Sequence, residues 1–98
     1  MSVEEGALVA RRVRISGRVQ GVWYRGWTID EATARGLRGW VRNRRDGSVE
    51  ALFIGPEAQV DAMIDRCRRG PPAARVVNVA VESAEDDGRS SFRQLPTE

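Results

Sequence analysis

The sequence predicts an α+β fold, a two-layer α/β sandwich in which one antiparallel sheet carries two helices on a single face. Three observations lead there. Apolar and polar residues alternate from Leu8 to Ser16 and again after Gly36, the period of a half-buried strand. Two stretches, about Tyr24 to Arg35 and Pro56 to Arg69, repeat apolar residues at helical spacing instead. Each helical stretch lies between strand-like runs, and Asp46-Gly47 supplies a strong hairpin turn between two of those runs. A chain of 98 residues suits one domain.

Residues 1–7 are expected to form a flexible N-terminal tail, with a single domain over 8–98. The first strand, Leu8 to Ser16, places Val9, Val13 and Ile15 on one face and Arg12, Arg14 and Ser16 on the other, with Arg11 breaking the apolar side. Gly17 is expected to end it. After a turn from Gly17 to Trp23, Tyr24, Thr28 and Ala32 line one helix face beside Trp27, and Gly36 stands where a left-handed residue commonly stops a helix. Gly26, early in that helix, should weaken it slightly. A second strand spans Leu37 to Asn43, with Leu37, Gly39 and Val41 alternating against Arg38, Trp40 and Arg42. The third runs from Ser48 to Gly55, with Val49, Ala51 and Phe53 on one face. Pro56 suits the first helical position. Val60, Met63, Ile64 and Cys67 mark the buried stripe of the second helix, and Gly70-Pro71-Pro72 stops it. A fourth, valine-rich strand covers Arg75 to Glu82, and a short last strand covers about Ser90 to Leu95. The order is ferredoxin-like, βαββαβ with an extra C-terminal strand.

Composition removes several function classes. All 16 basic residues are arginine, but the net charge is only +2, far from the clustered basic excess of a nucleic-acid binder. The lone Cys67 allows no intrachain disulfide, which fits a reducing compartment. The acidic start, Met1-Ser2-Val3-Glu4-Glu5, is no secretory signal, and no apolar run is long enough to span a membrane, so a cytoplasmic location is expected. Histidine is absent, which excludes a histidine general base, a phosphohistidine intermediate and a histidine metal ligand. Catalysis must rest on arginine, asparagine, hydroxyls, carboxylates, backbone donors or the substrate itself.

The stretch Gly17-Arg18-Val19-Gln20-Gly21-Val22-Trp23-Tyr24-Arg25 is the strongest candidate site. Glycines four residues apart bracket a turn between a strand and a helix. Such a loop can aim several N–H groups at one point, the helix start adds unpaired donors and a partial positive charge, and Arg25 adds a planar fork of charged donors. The combination suits a tetrahedral oxyanion, although the same spacing would serve a ligand-free turn. The loop has no Gly-Lys-Ser/Thr ending, as a nucleotide loop would, and no cysteine, as a phosphocysteine-forming loop would. Asn43 ends the run Gly39-Trp40-Val41-Arg42-Asn43; its amide could hold a water molecule, or simply form the hairpin turn. Arg42, Arg44 and Arg45 read mainly as a solvated hairpin tip. The carboxylates Glu85, Asp86 and Asp87 read as a solvated turn rather than a metal site, and Cys67 as core.

These two motifs, followed by Asp46-Gly47-Ser48-Val49-Glu50, resemble the signature motifs of the acylphosphatase family. Gly55-Pro56, Gly70-Pro71-Pro72 and Phe92 agree, so the likeness covers about residues 9–95. Tyr24 stands where the family usually has phenylalanine, and Trp23 at a position that varies. The resemblance implies a small hydrolase that cleaves the carboxyl–phosphate bond of acyl phosphates, releasing a carboxylate and inorganic phosphate. It implies that Arg25 and Asn43 are the catalytic pair, Arg25 binding the phosphoryl group and Asn43 positioning the attacking water. The loop Gly17, Arg18, Val19, Gln20, Gly21, Val22 and Trp23 would cradle the phosphate through its backbone. No metal or organic cofactor is implied, nor a nucleic-acid or membrane partner, and a monomer is the expected state.

Two other readings share this topology. An RNA-binding sheet would expose aromatic residues on its first and third strands, where the sequence has only Phe53, on the apparent core face. An accessory domain would bind an anion without turning it over, against which the intact Arg25 and Asn43 stand.

Overall fold

A computed structural model describes residues 7–98. Most of the expected flexible tail, residues 1–6, lies outside the described residues; Ala7 is within them, and its carbonyl accepts a hydrogen bond from the Glu57 N–H at 3.2 Å. The elements are β1 (Leu8–Arg18), α1 (Tyr24–Ala34), β2 (Arg38–Asn43), β3 (Val49–Pro56), α2 (Glu57–Cys67), β4 (Arg75–Ser83) and β5 (Phe92–Gln94). They build one five-stranded sheet in the order β4-β1-β3-β2-β5.

Both helices pack on the same sheet face. Their buried residues (Tyr24, Trp27 and Ala32 from α1, Val60, Met63, Ile64 and Cys67 from α2) join Val13, Ile15, Val41, Val49, Ala51 and Phe53 in the main core. The alternation of each strand fixes which side chains take part. The other face carries a smaller apolar cluster of Ala10, Trp40, Leu52 and Ile54, covered in part by Ala84 and Leu95. Central β3 is therefore buried on both sides, from Val49 through Gly55.

Three expectations need correction. First, Gly17 does not end β1: the strand continues to Arg18 through a bulge against β4 between Ser16 and Gly17. Gly17 has φ 125°, and a Cβ there would sit 2.2 Å from the Arg75 carbonyl oxygen, so the bulge itself requires glycine. Second, Pro56 closes β3 with an extended backbone (φ −58°, ψ 139°), and Glu57 takes the first helical position. Third, the sheet is mixed. Antiparallel pairing joins β1 to β3 and β4, and β2 to β3, but β5 runs parallel to β2, with Gly39 beside Phe92 and Val41 beside Gln94. The cause lies in the crossover from β4. That strand leaves the sheet at the end where β2 begins, so the connection arrives at the start of β2. There it is secured by Arg38, which bonds Asp86 at 2.6 Å and the Arg89 carbonyl at 2.7 Å. The chain can only continue alongside β2 in the same direction. The Glu85–Asp87 turn is exposed, as expected of a solvated turn, with Asp86 paired to Arg38 and Asp87 to Arg89 at 2.8 Å.

Tyr24 couples α1 to the end of α2. Its hydroxyl donates to the buried Cys67 carbonyl at 2.6 Å, and its ring meets Trp27 edge-on with centroids 5.3 Å apart. Burial pushes the Tyr24 phenol well above its ordinary value of 10.0, and burial likewise pushes the Cys67 thiol from 9.0 up to about 12. The fold holds both groups neutral. Their contribution is complete below the ordinary values and is lost as pH climbs past them toward the folded ones. Thermal unfolding followed across pH should therefore show a falling Tm above about pH 9. Tyr24→Phe should cost about 1 kcal/mol at neutral pH in denaturant titration, through the lost hydrogen bond, and should reduce the alkaline fall.

Candidate active site

The first helix starts where a side-chain cap would be expected, and none is present: the N-cap residue is Trp23, without a capping hydrogen bond. The N–H groups of Tyr24, Arg25 and Gly26 have no intrahelical acceptor, because a helix leaves its first donors unpaired; the Trp23 carbonyl receives its first bond only from Trp27, at 3.0 Å. These donors and the α1 dipole therefore face the loop that precedes the helix.

Three anchors hold that loop. Val19 is 1% exposed in the main core, and Val22 packs against the same core. Between them, the Gln20 side chain reaches across to the β2–β3 hairpin, where its Nε2 donates to the Arg44 carbonyl at 2.8 Å and the Ser48 carbonyl at 2.9 Å. The hairpin is itself ordered by Asp46, whose Oδ1 accepts from the Ser48 hydroxyl at 2.6 Å and the Ser48 N–H at 2.9 Å. Those bonds, with Arg14 and Arg44 nearby, hold the exposed Asp46 carboxyl below its usual range.

Asn43 is placed by strand parity. It shares the helix-side face of β2 with Val41, one step beyond the core, while Trp40 and Arg42 point to the opposite face. Its backbone is fixed from both sides, by pairing with Val49 on β3 and by the Glu98 N–H donating to its carbonyl at 3.0 Å. Its side-chain oxygen is buried and has no protein partner among the described residues. A buried acceptor of this kind calls for a donor from outside the protein, such as water or a ligand.

A cavity of about 180 Å³ joins these elements, lined by Val19, Gln20, Gly21, Trp23, Tyr24, Arg25, Gly26, Asn43 and Gln94. Of the residues the sequence proposed, it brings together Val19, Gln20, Gly21, Trp23, Arg25 and Asn43. Gly17, Arg18 and Val22 do not line it: Gly17 and Arg18 belong to β1, paired with β4, and Val22 faces the core. Only Gly21 of the two bracketing glycines is at the cavity, with φ 75° and nothing within reach of a Cβ. Arg25 is half-buried and takes part in none of the ion pairs formed among the described residues.

Gln94 was not found from the sequence. An antiparallel β5 would have carried it away from Asn43. Parallel pairing puts it beside Val41 and on the side of Phe92, at the Asn43 end of β2. Gly26 was read only as a weak point in α1. A Cβ there would lie 2.1 Å from Trp23 Nε1, so the bare glycine is what lets the indole lie against the first turn of the helix.

A larger cleft, about 480 Å³, opens on the opposite sheet face among Arg12, Arg14, Arg42, Arg44, Glu50 and Glu82. Its arginines are already paired. Arg12 meets Glu82 at 3.1 Å, Arg14 meets Asp46 at 3.3 Å, and Arg42 and Arg44 meet the buried Glu50 at 2.9 and 3.4 Å. Arg42 also bonds Glu98 and lies 4.6 Å over the Trp40 ring. Arg42 and Arg44 are therefore structural members of the hairpin and not a solvated tip. Neither do the strands offer bases a stacking platform here: Phe53 is fully buried on the helix side, and Trp40 is 8% exposed. Among the described residues, no three His, Cys, Asp or Glu side chains cluster to hold a metal, and no helix is long and apolar enough to cross a membrane.

Fold and cavity together define a small α/β sandwich in which an uncapped helix start, one arginine and an amide oxygen without a protein donor meet at one small cavity. Comparison with known proteins places it more narrowly. The family model described as Acylphosphatase matches residues 11–94. An acylphosphatase of Rhodospirillum rubrum is 59% identical over 85 residues, covering 87% of this chain and 93% of that one. The crystal structure of acylphosphatase from Bacillus subtilis superposes with a TM-score of 0.85 at 37% identity, over 91% of this chain and 99% of that one. An acylphosphatase structure from Coxiella burnetii gives 0.88 at 33% identity, over 97% and 100%. The chain belongs to the acylphosphatase family.

If Gln20 is what registers the loop against the hairpin, Gln20→Ala should weaken competitive inhibition by inorganic phosphate about tenfold and raise KM alike. The unfolding free energy should fall by only about 1–2 kcal/mol, the scale of two part-buried hydrogen bonds. Steady-state kinetics with phosphate titration, beside denaturant melts, measures both.

Proposed function

We propose that this protein hydrolyses the carboxyl–phosphate bond of acyl phosphates by direct attack of water at phosphorus. It is an acylphosphate phosphohydrolase. The observation that supports the mechanism most is the shared lining of one small cavity: loop backbone, Arg25 and an Asn43 whose amide oxygen has no protein donor.

An acyl phosphate is a mixed anhydride, and its leaving carboxylate needs little help from a general acid. This suits a chain without histidine. What the protein must supply is position and charge. Loop N–H groups and the free donors at the start of α1 bind the non-bridging phosphoryl oxygens, and the Arg25 guanidinium spans two of them. Asn43 Oδ1 accepts a hydrogen bond from the attacking water and leaves its lone pair toward phosphorus. The new P–O bond forms from that water; the bridging P–O bond breaks, and its electron pair departs with the carboxylate. The water's proton passes to a phosphoryl oxygen of the substrate, so the products are a carboxylate and inorganic phosphate. We place the enzyme as a cytoplasmic monomer that acts on a small-molecule substrate without metal or organic cofactor, nucleic acid or membrane.

Arg25→Ala should lower kcat/KM by roughly 10³–10⁵-fold, the scale of an arginine serving a transferring phosphoryl group. Arg25→Lys should remain strongly impaired, because the fork is lost. Wild-type-like turnover of acetyl phosphate by Arg25→Ala would remove the mechanism. Asn43→Ala should cut kcat while leaving the inhibition constant of phosphate nearly unchanged; an equal loss in both would make Asn43 a binding residue instead. Hydrolysis of acetyl phosphate beside a simple phosphate monoester, with EDTA present, tests the class. Selective, EDTA-resistant cleavage of the acyl phosphate is expected, and equal failure on both substrates would indicate an accessory, non-hydrolytic domain.

A further inference from the structure

Trp23 combines two features that ordinary folding would avoid. It is the one non-glycine residue with positive φ among the described residues, at φ 68° and ψ 26°. A left-handed conformation is costly for a residue with a Cβ, and glycine would adopt it freely. The side chain is also 63% exposed, between the half-buried Val22 and the buried Tyr24. Backbone strain retained at a site rim is a pointer to function. The ring is nevertheless not loose: the absent Cβ of Gly26 makes a seat for it, with Nε1, Cε2 and Cδ1 all within 2.8 Å of where that atom would be. One side of the indole is thus held against α1, and the rest remains open at the rim of the anion cavity, which both residues line.

The cavity itself leaves a question of space. At about 180 Å³ it is smaller than the roughly 300–1,000 Å³ usual for pockets that enclose an organic ligand. With the phosphoryl group and the water in it, the cavity has no room for a large acyl group such as an aromatic ring, which must extend across the rim. We infer that the Trp23 indole, seated on Gly26, is the acyl-group subsite, and that it favours flat aromatic acyl phosphates by offering a fixed stacking surface. This rests on the phosphoryl end being bound in the cavity as proposed above. The left-handed backbone and the glycine seat set the ring's pose before substrate arrives, so little side-chain freedom is lost on binding.

The test compares kcat/KM for benzoyl phosphate and acetyl phosphate in the full chain. Trp23→Gly removes the ring while the backbone keeps a conformation glycine tolerates, and Trp23→Phe restores a smaller aromatic surface. The expected result is a benzoyl-to-acetyl ratio about tenfold lower in Trp23→Gly, the scale of one aromatic stacking contact, with most of it recovered in Trp23→Phe. An unchanged ratio in Trp23→Gly, including one in which both substrates lose activity together, would overturn the assignment. Failure of the underlying phosphate site looks different: inorganic phosphate would then not compete with either substrate in the unsubstituted protein.

Discussion

The bridge made by Gln20 is the interaction on which the site depends. Its amide nitrogen joins the strand-to-helix loop to carbonyls 24 and 28 residues further along the chain. It is the direct side-chain tie between the loop and the hairpin that carries Asn43. The bridge works because both ends are already rigid. Val19 and Val22 root the loop in the main core, while Asp46 and Ser48 close the hairpin turn and Val49 pairs with Asn43. A polar contact between two constrained partners costs little conformational entropy, so one side chain can help set the distance between the loop and the strand that carries Asn43.

The arginine-rich composition acquires a structural division of labour. On the open sheet face, Arg14, Arg42 and Arg44 surround the buried Glu50, and Arg38 secures the crossover to β5. Those guanidinium groups neutralise carboxylates that the strands place beside them. Arg25 belongs to neither network. Its charge is left for the cavity, where the uncapped start of α1 adds to it. Of the arginines outside the ion pairs formed among the described residues, Arg25 is the one that lines this cavity.

Much of the site was legible because its chemistry is local. Gly21, Arg25 and the start of α1 are adjacent in sequence, so their convergence needs only a turn and a helix. Strand alternation alone put Asn43 on the face of Val41. Other assignments failed where the reason lay in a distant partner. Gly17 looked like half of the anion loop, yet its positive φ serves a bulge against β4, some sixty residues away in the chain. Gly26 looked like a helix defect, whereas it receives the Trp23 ring. Arg42 and Arg44 looked solvated because the buried Glu50 beneath them becomes a neighbour only when β2 and β3 pair.

Periodicity and turn chemistry in the sequence alone determined the two helices, the five strands and the buried faces of α1, α2 and β1 to β3, since these depend on the spacing of residues within one element. The paired motifs likewise determined the family. The tertiary structure alone decided the direction of β5, because that depends on which end of the sheet the crossover from β4 reaches. With the direction came Gln94 at the cavity, and with the packing of loop against hairpin came the size of the space. Residue spacing constrains what one element can present; only the meeting of elements constrains how much room they leave.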